Sequence, residues 1–348
     1  MELNNFHKSF RLNNNSFNSV NELINYSETI SKELYFFLND WFSTSQFIEV
    51  QTSGSTGTPK TIFLKKEFVI NSAKATGNFL KLEKNTSALL CLPVQYIAGK
   101  LMVVRALTLG WHLDFFVPSL SPLKNVNKQY DFSAMTPMQL ENSLSKINLI
   151  KKLIVGGVAV SNQLNEKLKN ISTKVFATYG MTETITHIAL KQLNHLEVQP
   201  NFYTLLPNVT IYKDQKNCLV INAPKISESI IFTNDVVDLV ATNQFEWLGR
   251  FDNVINSGGI KLHPEIIEEK LSATINSRFF VAGVPDNYLG EKLILLVEGT
   301  ERKIDLKGTS LTKFETPKNI YFVENFSETA TGKINRIETI FQLKKFID

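Results

Sequence analysis

Between residues 61 and 180 the chain alternates short runs of strand-forming residues with segments that repeat apolar residues at helical spacing. This alternation predicts βαβ units, and therefore a mainly parallel sheet covered by helices. It favours a fold of the α/β class. The predicted strands span residues 88–92, 112–117, 132–135, 152–155 and 175–179, and the predicted helices lie near 66–81, 97–109, 137–146 and 161–170.

Three flanking regions carry other patterns. Residues 19–42 repeat apolar residues at helical spacing, which predicts one helix or a broken pair of helices. Residues 202–249 hold short β-rich runs between Asn, Asp and Pro, which predicts a small antiparallel sheet or barrel appended to the α/β body. The remainder is predicted to be a small α+β domain, with a helix over 263–275 opened by Pro264 and strands over 279–284, 293–298 and 319–323.

Glycine is used sparingly in this chain and is concentrated where it occurs. Because it has no Cβ, glycine lets the backbone turn sharply or come close to a ligand. The clusters are therefore candidate ligand-binding turns. Nine of the 16 glycines fall in five clusters: Gly54 and Gly57; Gly99; Gly156 and Gly157 with Gly180; Gly258 and Gly259; and Gly332.

Residues 52–60 read TSGSTGTPK, a run rich in hydroxyls and in unhindered backbone N–H groups. Such groups wrap a polyphosphate, and Lys60 adds a positive charge. The run is not a Walker A loop, because Pro59 replaces the second glycine and a strand-like stretch follows Lys60. We expect a phosphate-binding loop between two strands, 47–51 and 61–64. The alternative is an ordinary solvated turn.

Two further motifs end apolar strands, Gly156-Gly157 and the run YGMTE at 179–183. In an open parallel sheet, ligands bind beyond the carboxyl ends of the strands, so both motifs should face one crevice. A tyrosine ring and a bare Gly-Gly edge suit a planar base, and Glu183 offers an oxygen ligand for Mg²⁺. The alternative is a pair of tight strand-to-helix turns.

Charge and apolar patterning exclude several other classes of function. The 37 basic and 33 acidic residues are interspersed, which predicts no nucleic-acid partner. Uncharged stretches are too short to span a membrane, and the N-terminus does not read as a secretory signal. Two cysteines, Cys91 and Cys218, cannot make a zinc site by themselves. These features lead us to expect a cytoplasmic protein.

Six motifs in order, over roughly residues 47–340, resemble the acyl- and aryl-CoA synthetase superfamily of adenylate-forming enzymes. They read TSGSTGTPK, VGG, YGMTE, TND, GRFDNVINSGGIKLHPEIIE, and TPKNIYFV followed by TATGKINR. The resemblance implies a large α/β domain over 1–250, shortened at its N-terminus, and a mobile α+β domain over 253–348. It also implies that a carboxylate attacks ATP with Mg²⁺ to give an acyl-adenylate and pyrophosphate, after which coenzyme A displaces AMP.

The same resemblance implies a role for each motif residue. The phosphates of ATP are held by Thr52, Ser53, Gly54, Ser55, Thr56, Gly57 and Lys60. The adenosine part is held by Gly156, Gly157, Tyr179, Gly180, Met181, Asp235 and Arg250. Thr182 contacts the α-phosphate, Glu183 binds Mg²⁺, and Lys333 reaches the reacting carboxylate. The hinge is 250–252, centred on Asp252, and coenzyme A is bound by Ser257, Gly258, Gly259 and Lys261.

The acid is suggested by residues 92–110, which resemble a segment of the o-succinylbenzoate–CoA ligases of menaquinone synthesis. The resemblance implies that Gly99, Arg105 and His187 line the acid pocket and that Arg105 faces a second carboxylate. An arginine among apolar residues is costly to bury without an anion, which an aromatic dicarboxylic acid would supply. For Arg105 the alternatives are a structural ion pair and a side chain that reaches the surface. For His187 the alternative is an ordinary core histidine.

The chain departs from the family pattern at Gln95-Tyr96, where an aromatic-His pair is usual, and at Asn234, where glycine is usual. Three rival functions stay open. They are a ligase for another aryl or acyl acid, a non-catalytic nucleotide-binding relative, and an adenylation domain that serves a carrier protein. The sequence also leaves open whether the protein is a homodimer.

Overall fold

The structure is a computed structural model that describes residues 5–51, 61–197, 201–328 and 334–344. The helices in these ranges are α1 (Val20–Glu28), α2 (Lys32–Trp41), α3 (Lys66–Leu80), α4 (Ile97–Leu109), α5 (Pro137–Ser143), α6 (Asn162–Leu168), α7 (Pro264–Leu271) and α8 (Arg336–Lys344). The strands up to the glycine-rich site are β1 (Arg11–Leu12), β2 (Phe47–Gln51), β3 (Thr61–Lys65), β4 (Ser87–Leu90), β5 (His112–Phe115), β6 (Tyr130–Met135), β7 (Ile150–Val155) and β8 (Lys174–Gly180).

Eleven further strands follow. They are β9 (His187–Gln192), β10 (Tyr203–Leu205), β11 (Thr210–Lys213), β12 (Cys218–Asn222), β13 (Ile231–Ala241), β14 (Gln244–Arg250), β15 (Ile255–Ser257), β16 (Ile260–Leu262), β17 (Phe279–Asp286), β18 (Gly290–Glu298) and β19 (Asn319–Val323).

Twelve of these strands form one sheet, in the order β1-β5-β4-β6-β7-β8-β9-β10-β14-β13-β12-β11. The pairs from β1 to β8 are parallel, and those from β8 to β11 are antiparallel. Strands β2 and β3 form a separate antiparallel pair. The parallel half agrees with the βαβ pattern of the sequence.

Side chains that alternate along the strands build a core on each face of the large sheet. In β4, Ala88 and Leu90 belong to a cluster with residues of α1 to α4, such as Leu101. The intervening Leu89 belongs to a second cluster, with Leu140 of α5 and the buried residues of α6. Helices thus cover both faces, and the predicted α/β class is confirmed.

The region 202–249 is antiparallel as predicted, but it is not an appended sheet or barrel. Its strands extend the large sheet, because β9 turns back and pairs antiparallel with β8. The next strands then add outward from β9. The prediction of an appended sheet or barrel was wrong. Periodicity shows which residues alternate along a strand, but it does not show which sheet that strand joins. Residues 19–42 form a broken pair of helices, and the Ser31 side chain caps the second.

The strands after residue 254 form a second sheet, in the order β16-β15-β18-β17 with β19 beside β18. Its two faces are covered by different helices. One cluster joins the sheet to α7 through Ile267 and Leu271, and the other joins it to α8 through Leu343. Pro264 opens α7 at its first turn, as expected. The division into domains 1–250 and 253–348 stays a prediction.

No helix within the described ranges is both long enough and apolar enough to cross a lipid bilayer.

Lys66, the first residue of α3, is a buried charge that joins this helix to the end of α2. It is 1% exposed, and its ammonium donates to the carbonyl oxygens of Asp40 at 2.9 Å and Ser43 at 3.1 Å. Burial lowers the pKa of Lys66. These carbonyls lie at the C-terminal end of α2, where the helix dipole favours a cation.

We expect Lys66→Met to lower the free energy of unfolding by about 2 kcal/mol, because it leaves buried carbonyls without a donor. Lys65→Met is a matched control, since Lys65 pairs at the surface with Glu228, and should cost less than about 1 kcal/mol. Chemical denaturation of both variants measures the difference. Equal losses would show that the Lys66 contacts add nothing beyond a surface pair.

Candidate active site

The two glycine motifs meet at the carboxyl ends of adjacent parallel strands, as predicted. Val155 at the end of β7 lies opposite Ala177 of β8. A Cβ on Gly156 would collide with the Thr178 hydroxyl, and Gly157 has a φ of 95°, which favours glycine. The backbone therefore forms a bare edge beyond the carboxyl ends of β7 and β8, where the crevice was predicted.

Tyr179 is joined to Asp235 by a hydrogen bond, and Asp235 is joined to Arg250 by an ion pair. Its hydroxyl donates to Asp235 Oδ2 at 2.6 Å, and Arg250 Nη1 lies 3.4 Å from Asp235 Oδ1. Asp235 and Arg250 are cross-strand partners in β13 and β14. Burial, then the Asp235 charge, raises the pKa of Tyr179, so the phenol stays protonated. The structure thus brings together three predicted nucleotide-binding residues.

The aromatic surroundings of Tyr179 were not predicted. Its ring packs edge-on against Phe245, with centroids 5.0 Å apart, and lies 5.7 Å from the Tyr203 ring. Such pairs fix the orientation of a ring and stabilise it by about 1 kcal/mol beyond burial. The only signal in the sequence was the presence of aromatic residues in the β-rich region.

The segment after Gly180 is a strained turn that presents Glu183. Thr182–Thr184 form one turn of 3-10 helix. Ile185 follows with a φ of 65°, and the Thr186 N–H donates to the Thr184 carbonyl at 2.7 Å. This is a γ-turn with positive φ, which is costly for a β-branched residue. Met181 and Thr182 are half-buried, and Glu183 is exposed at the crevice.

Gly180 lets the start of β9 pack closely against the end of β8. A Cβ there would collide with the Thr186 carbonyl and with the His187 Cα. We expect Gly180→Ala to lower the free energy of unfolding by about 1–3 kcal/mol, because the crowded atoms are backbone and cannot rotate away. Chemical denaturation measures this. An unchanged midpoint would mean that β9 can shift away from β8 without cost.

Arg105 lies in the middle of α4 and is only 2% exposed. No hydrogen bond or ion pair joins its side chain to any other described residue, and its Nε is buried without a partner. Burial lowers the pKa of Arg105 to about 10, so it stays charged at neutral pH. Within the described ranges, the Arg105 side chain neither reaches the surface nor pairs with an acidic side chain, so neither structural alternative accounts for it.

His187 is buried on the wall of a cavity of about 210 Å³, between α3 and residues 206–209. Its Nε2 lies 3.1 Å from the Thr76 hydroxyl. Burial, then the nearby charge of Arg105, holds the pKa of His187 well below its usual value. Gly99 has a packing reason for its identity, since a Cβ would collide with the Pro93 carbonyl. Contact of these residues with an acid stays a prediction.

The residues predicted for the hinge and for coenzyme A lie along the start of the second sheet. Asp252 accepts a hydrogen bond from Asn234 Nδ2 at 3.2 Å. Gly258 and Gly259, with φ of 59° and 82°, make the two-residue turn between β15 and β16. Ser257 ends β15. Lys261 lines a cleft of about 440 Å³ with Lys213 and Lys216.

Two predicted elements lie outside the described residues, the phosphate loop over 52–60 and Lys333. Their flanks are described. Gln51 and Thr61 are the last cross-strand pair before the loop positions. Glu328 and Ile334 form an antiparallel bridge on either side of 329–333.

No group of three or more His, Cys, Asp or Glu side chains suited to a metal ion occurs in the part of the chain that the structure describes. Glu183 is exposed there and forms no ion pair with another described residue. A single free carboxylate suits a Mg²⁺ ion that arrives already coordinated by the phosphates of a nucleotide.

Comparison with known proteins shows which family the chain resembles. The model of the AMP-binding enzyme family matches residues 50–220. The acyl-CoA synthetase (AMP-forming)/AMP-acid ligase II-like protein of Dyadobacter fermentans is 35% identical, with a TM-score of 0.61, over 89% of this chain and 93% of that one. The o-succinylbenzoate coenzyme A synthetase of Bacillus subtilis, solved with ATP and magnesium, shares the fold at 17% identity and a TM-score of 0.72, over 92% and 82% of the two chains.

A curated relative is the 2-succinylbenzoate–CoA ligase of Haemophilus influenzae, 26% identical over 72% of this chain. The chain spans 59% of the length of that relative. The 35% identical relative, of which this chain covers 93%, and the match to the family model identify the family. The chain therefore belongs to the AMP-binding enzyme family.

Proposed function

We propose that the protein ligates 2-succinylbenzoate to coenzyme A. In the first step the acid attacks the α-phosphate of Mg-ATP, giving the acyl-adenylate and pyrophosphate. In the second step the thiol of coenzyme A attacks the acyl carbon and AMP leaves. The names of the Haemophilus influenzae and Bacillus subtilis relatives support this choice of acid. ATP and coenzyme A place such an enzyme in the cytoplasm.

The observation that carries the proposal is the buried Arg105 side chain, whose Nε has no hydrogen-bond partner. An isolated buried charge costs several kcal/mol unless an anion compensates it. Outside the described ranges, the only acidic side chains that could pair with Arg105 are Glu2 and Asp348. An acid with a second carboxylate would supply the missing anion and could bind the guanidinium with two hydrogen bonds. A monocarboxylic acid would leave Arg105 without a partner.

The remaining roles follow the arrangement of the crevice. The Gly156-Gly157 edge and the Tyr179 ring would hold the adenine, and Asp235 with Arg250 would hold the ribose. Thr182 would contact the α-phosphate and Glu183 would bind Mg²⁺, while 52–60 would hold the outer phosphates. The first step brings a carboxylate anion to a polyphosphate, so Mg²⁺ and Lys333 would offset the repulsion.

The C-terminal part would swing about Asp252 between the two steps, which would withdraw Lys333 and admit the thiol beside Ser257–Lys261. The character of its contacts supports this motion. Asn162 Nδ2 of α6 donates to the Glu269 carbonyl of α7 at 2.7 Å, and Gln163 Nε2 donates to Asn276 at 3.0 Å. Both bonds are exposed, and exposed polar contacts exchange readily with water.

Pyrophosphate release from Mg-ATP tests the proposal, with 2-succinylbenzoate, benzoate, 4-phenylbutyrate, acetate or octanoate as the acid. We expect release with 2-succinylbenzoate alone, and a thioester once coenzyme A is added. Release with the monocarboxylic acids instead would retain the AMP-forming chemistry and reject the dicarboxylic substrate. No release with any acid would favour a non-catalytic nucleotide-binding protein.

A further inference from the structure

The positions on either side of residues 329–333 are joined to each other. Glu328 and Ile334 form an antiparallel bridge, and the Asn335 N–H donates to the Ser327 carbonyl at 2.8 Å. The five residues between, which include Lys333, therefore start and end at one place in the structure. We call the bridged flanks, 327–328 and 334–335, the base of this segment. The position of this base in the molecule sets where Lys333 can reach.

One side of the base is held to α7 by a partly buried ion pair. Arg336 Nη2 lies 2.8 Å from Glu268 Oε2, and the guanidinium lies 5.4 Å from the centre of the Phe280 ring. The other carboxylate oxygen of Glu268 accepts the Val281 N–H at 2.9 Å. Glu268 thus uses both oxygens to tie α7, β17 and the start of α8 together.

The other side of the base has a weaker anchor. Arg278 pairs with Glu328 at 2.6 Å, but both side chains are more than two-fifths exposed. Exposed pairs of this kind contribute about 0–1 kcal/mol, whereas partly buried, hydrogen-bonded pairs hold their geometry more firmly. The Arg336–Glu268 pair is therefore the firmer of the two ion pairs, while the buried Phe326 ring, 5.1 Å from the Phe280 ring, packs the other flank against the sheet.

Helix α7, which receives Arg336, also contacts α6, the helix that follows the Gly156-Gly157 turn. The carbonyl of Glu269, the next residue along α7, accepts the hydrogen bond from Asn162 of α6. On the same helix, Glu265 Oε1 accepts from Asn253 Nδ2 at 2.6 Å, directly after the predicted hinge residue. Helix α7 thus connects α6, the hinge and the base of the 329–333 segment.

We propose that Arg336 is a positioning residue for acyl-adenylate formation, and that its pairing with Glu268 places Lys333 by fixing the segment base on α7. This inference rests on the proposed function, because it acts through Lys333. Without the pair, the base loses its direct ion pair to α7. A displacement of a catalytic group by about 1 Å can cost about 10²-fold in rate.

The test measures the two half-reactions separately in Arg336→Met. We expect adenylation, followed as pyrophosphate release, to fall by about 10²-fold. Thioester formation from supplied acyl-adenylate should change little, because Lys333 is withdrawn in that step. Arg336→Lys should restore part of the adenylation rate. Arg278→Met is the matched control at the other side of the base and should leave both rates close to wild type.

A double variant separates positioning from general damage. If Arg336 acts only through Lys333, adding Arg336→Met to Lys333→Ala should lower adenylation no further. Multiplied losses in the double variant, or equal losses of both half-reactions in Arg336→Met, would overturn the inference. If the wild type releases no pyrophosphate with any acid, the proposed function fails instead, and the two failures are distinguishable.

Discussion

Lys333→Ala is expected to lower the rate of acyl-adenylate formation by about 10²–10³-fold, the usual effect of removing one charge-stabilising donor. The carboxylate must approach a polyphosphate of the same sign, and a lysine between them offsets that repulsion. Thioester formation from supplied acyl-adenylate should be nearly unaffected, because the repulsion no longer exists once pyrophosphate has left.

Single-turnover measurement of each half-reaction checks this expectation. Lys313→Ala, which removes another exposed lysine of the same part of the chain, should match the wild type in both steps. Lys333→Arg is informative as well, because a guanidinium keeps the charge but not the compact geometry of an ammonium. If Lys333→Ala slowed both steps equally, the division of labour between the two conformations would be wrong.

Arg105→Met should separate activity from stability. We expect kcat/KM for 2-succinylbenzoate to fall by about 10²-fold, the value of two charge-assisted hydrogen bonds. The free energy of unfolding should rise by about 1–4 kcal/mol, because an apolar side chain of similar volume replaces an uncompensated buried charge. Loss of function with gain of stability is the signature of a site held ready for a ligand.

Acid-dependent pyrophosphate release and chemical denaturation on the same preparations measure both effects. Arg105→Lys serves as the control that keeps the charge but loses the two-pronged geometry. A destabilised Arg105→Met protein would show that the arginine has a structural anion, and the dicarboxylic assignment would lose its physical basis. Benzoate should give no pyrophosphate release with either the wild type or the variant.

Much of the fold and part of the site followed from local sequence patterns. Strand and helix periods placed the parallel half of the large sheet, since each βαβ unit is set by neighbouring residues. The meeting of Gly156 and Tyr179 followed from one topological rule for parallel strands. Asp235 and Arg250 are different, because motif resemblance assigned both to the nucleotide and only the antiparallel register explains their pairing.

Other features depend on contacts between distant segments, which a single sequence does not encode locally. The extension of the large sheet by β9 depends on a six-residue turn that contains the positive φ of Ile185. Nothing about an isoleucine predicts that conformation. The burial of Lys66 against α2 was equally hidden, because lysine is normally exposed. The roles of 52–60 and Lys333 stay predictions.

The turn at Gly258-Gly259 limits how the thiol acceptor could change during evolution. Both positions have positive φ, so a Cβ is costly there except in residues such as asparagine and aspartate. If coenzyme A passes the Gly258-Gly259 turn, it meets main-chain groups there. These groups are the same in every sequence that can form the turn. Selection for another acceptor would have to act on neighbours such as Lys261, leaving the tip itself as an invariant part of the scaffold.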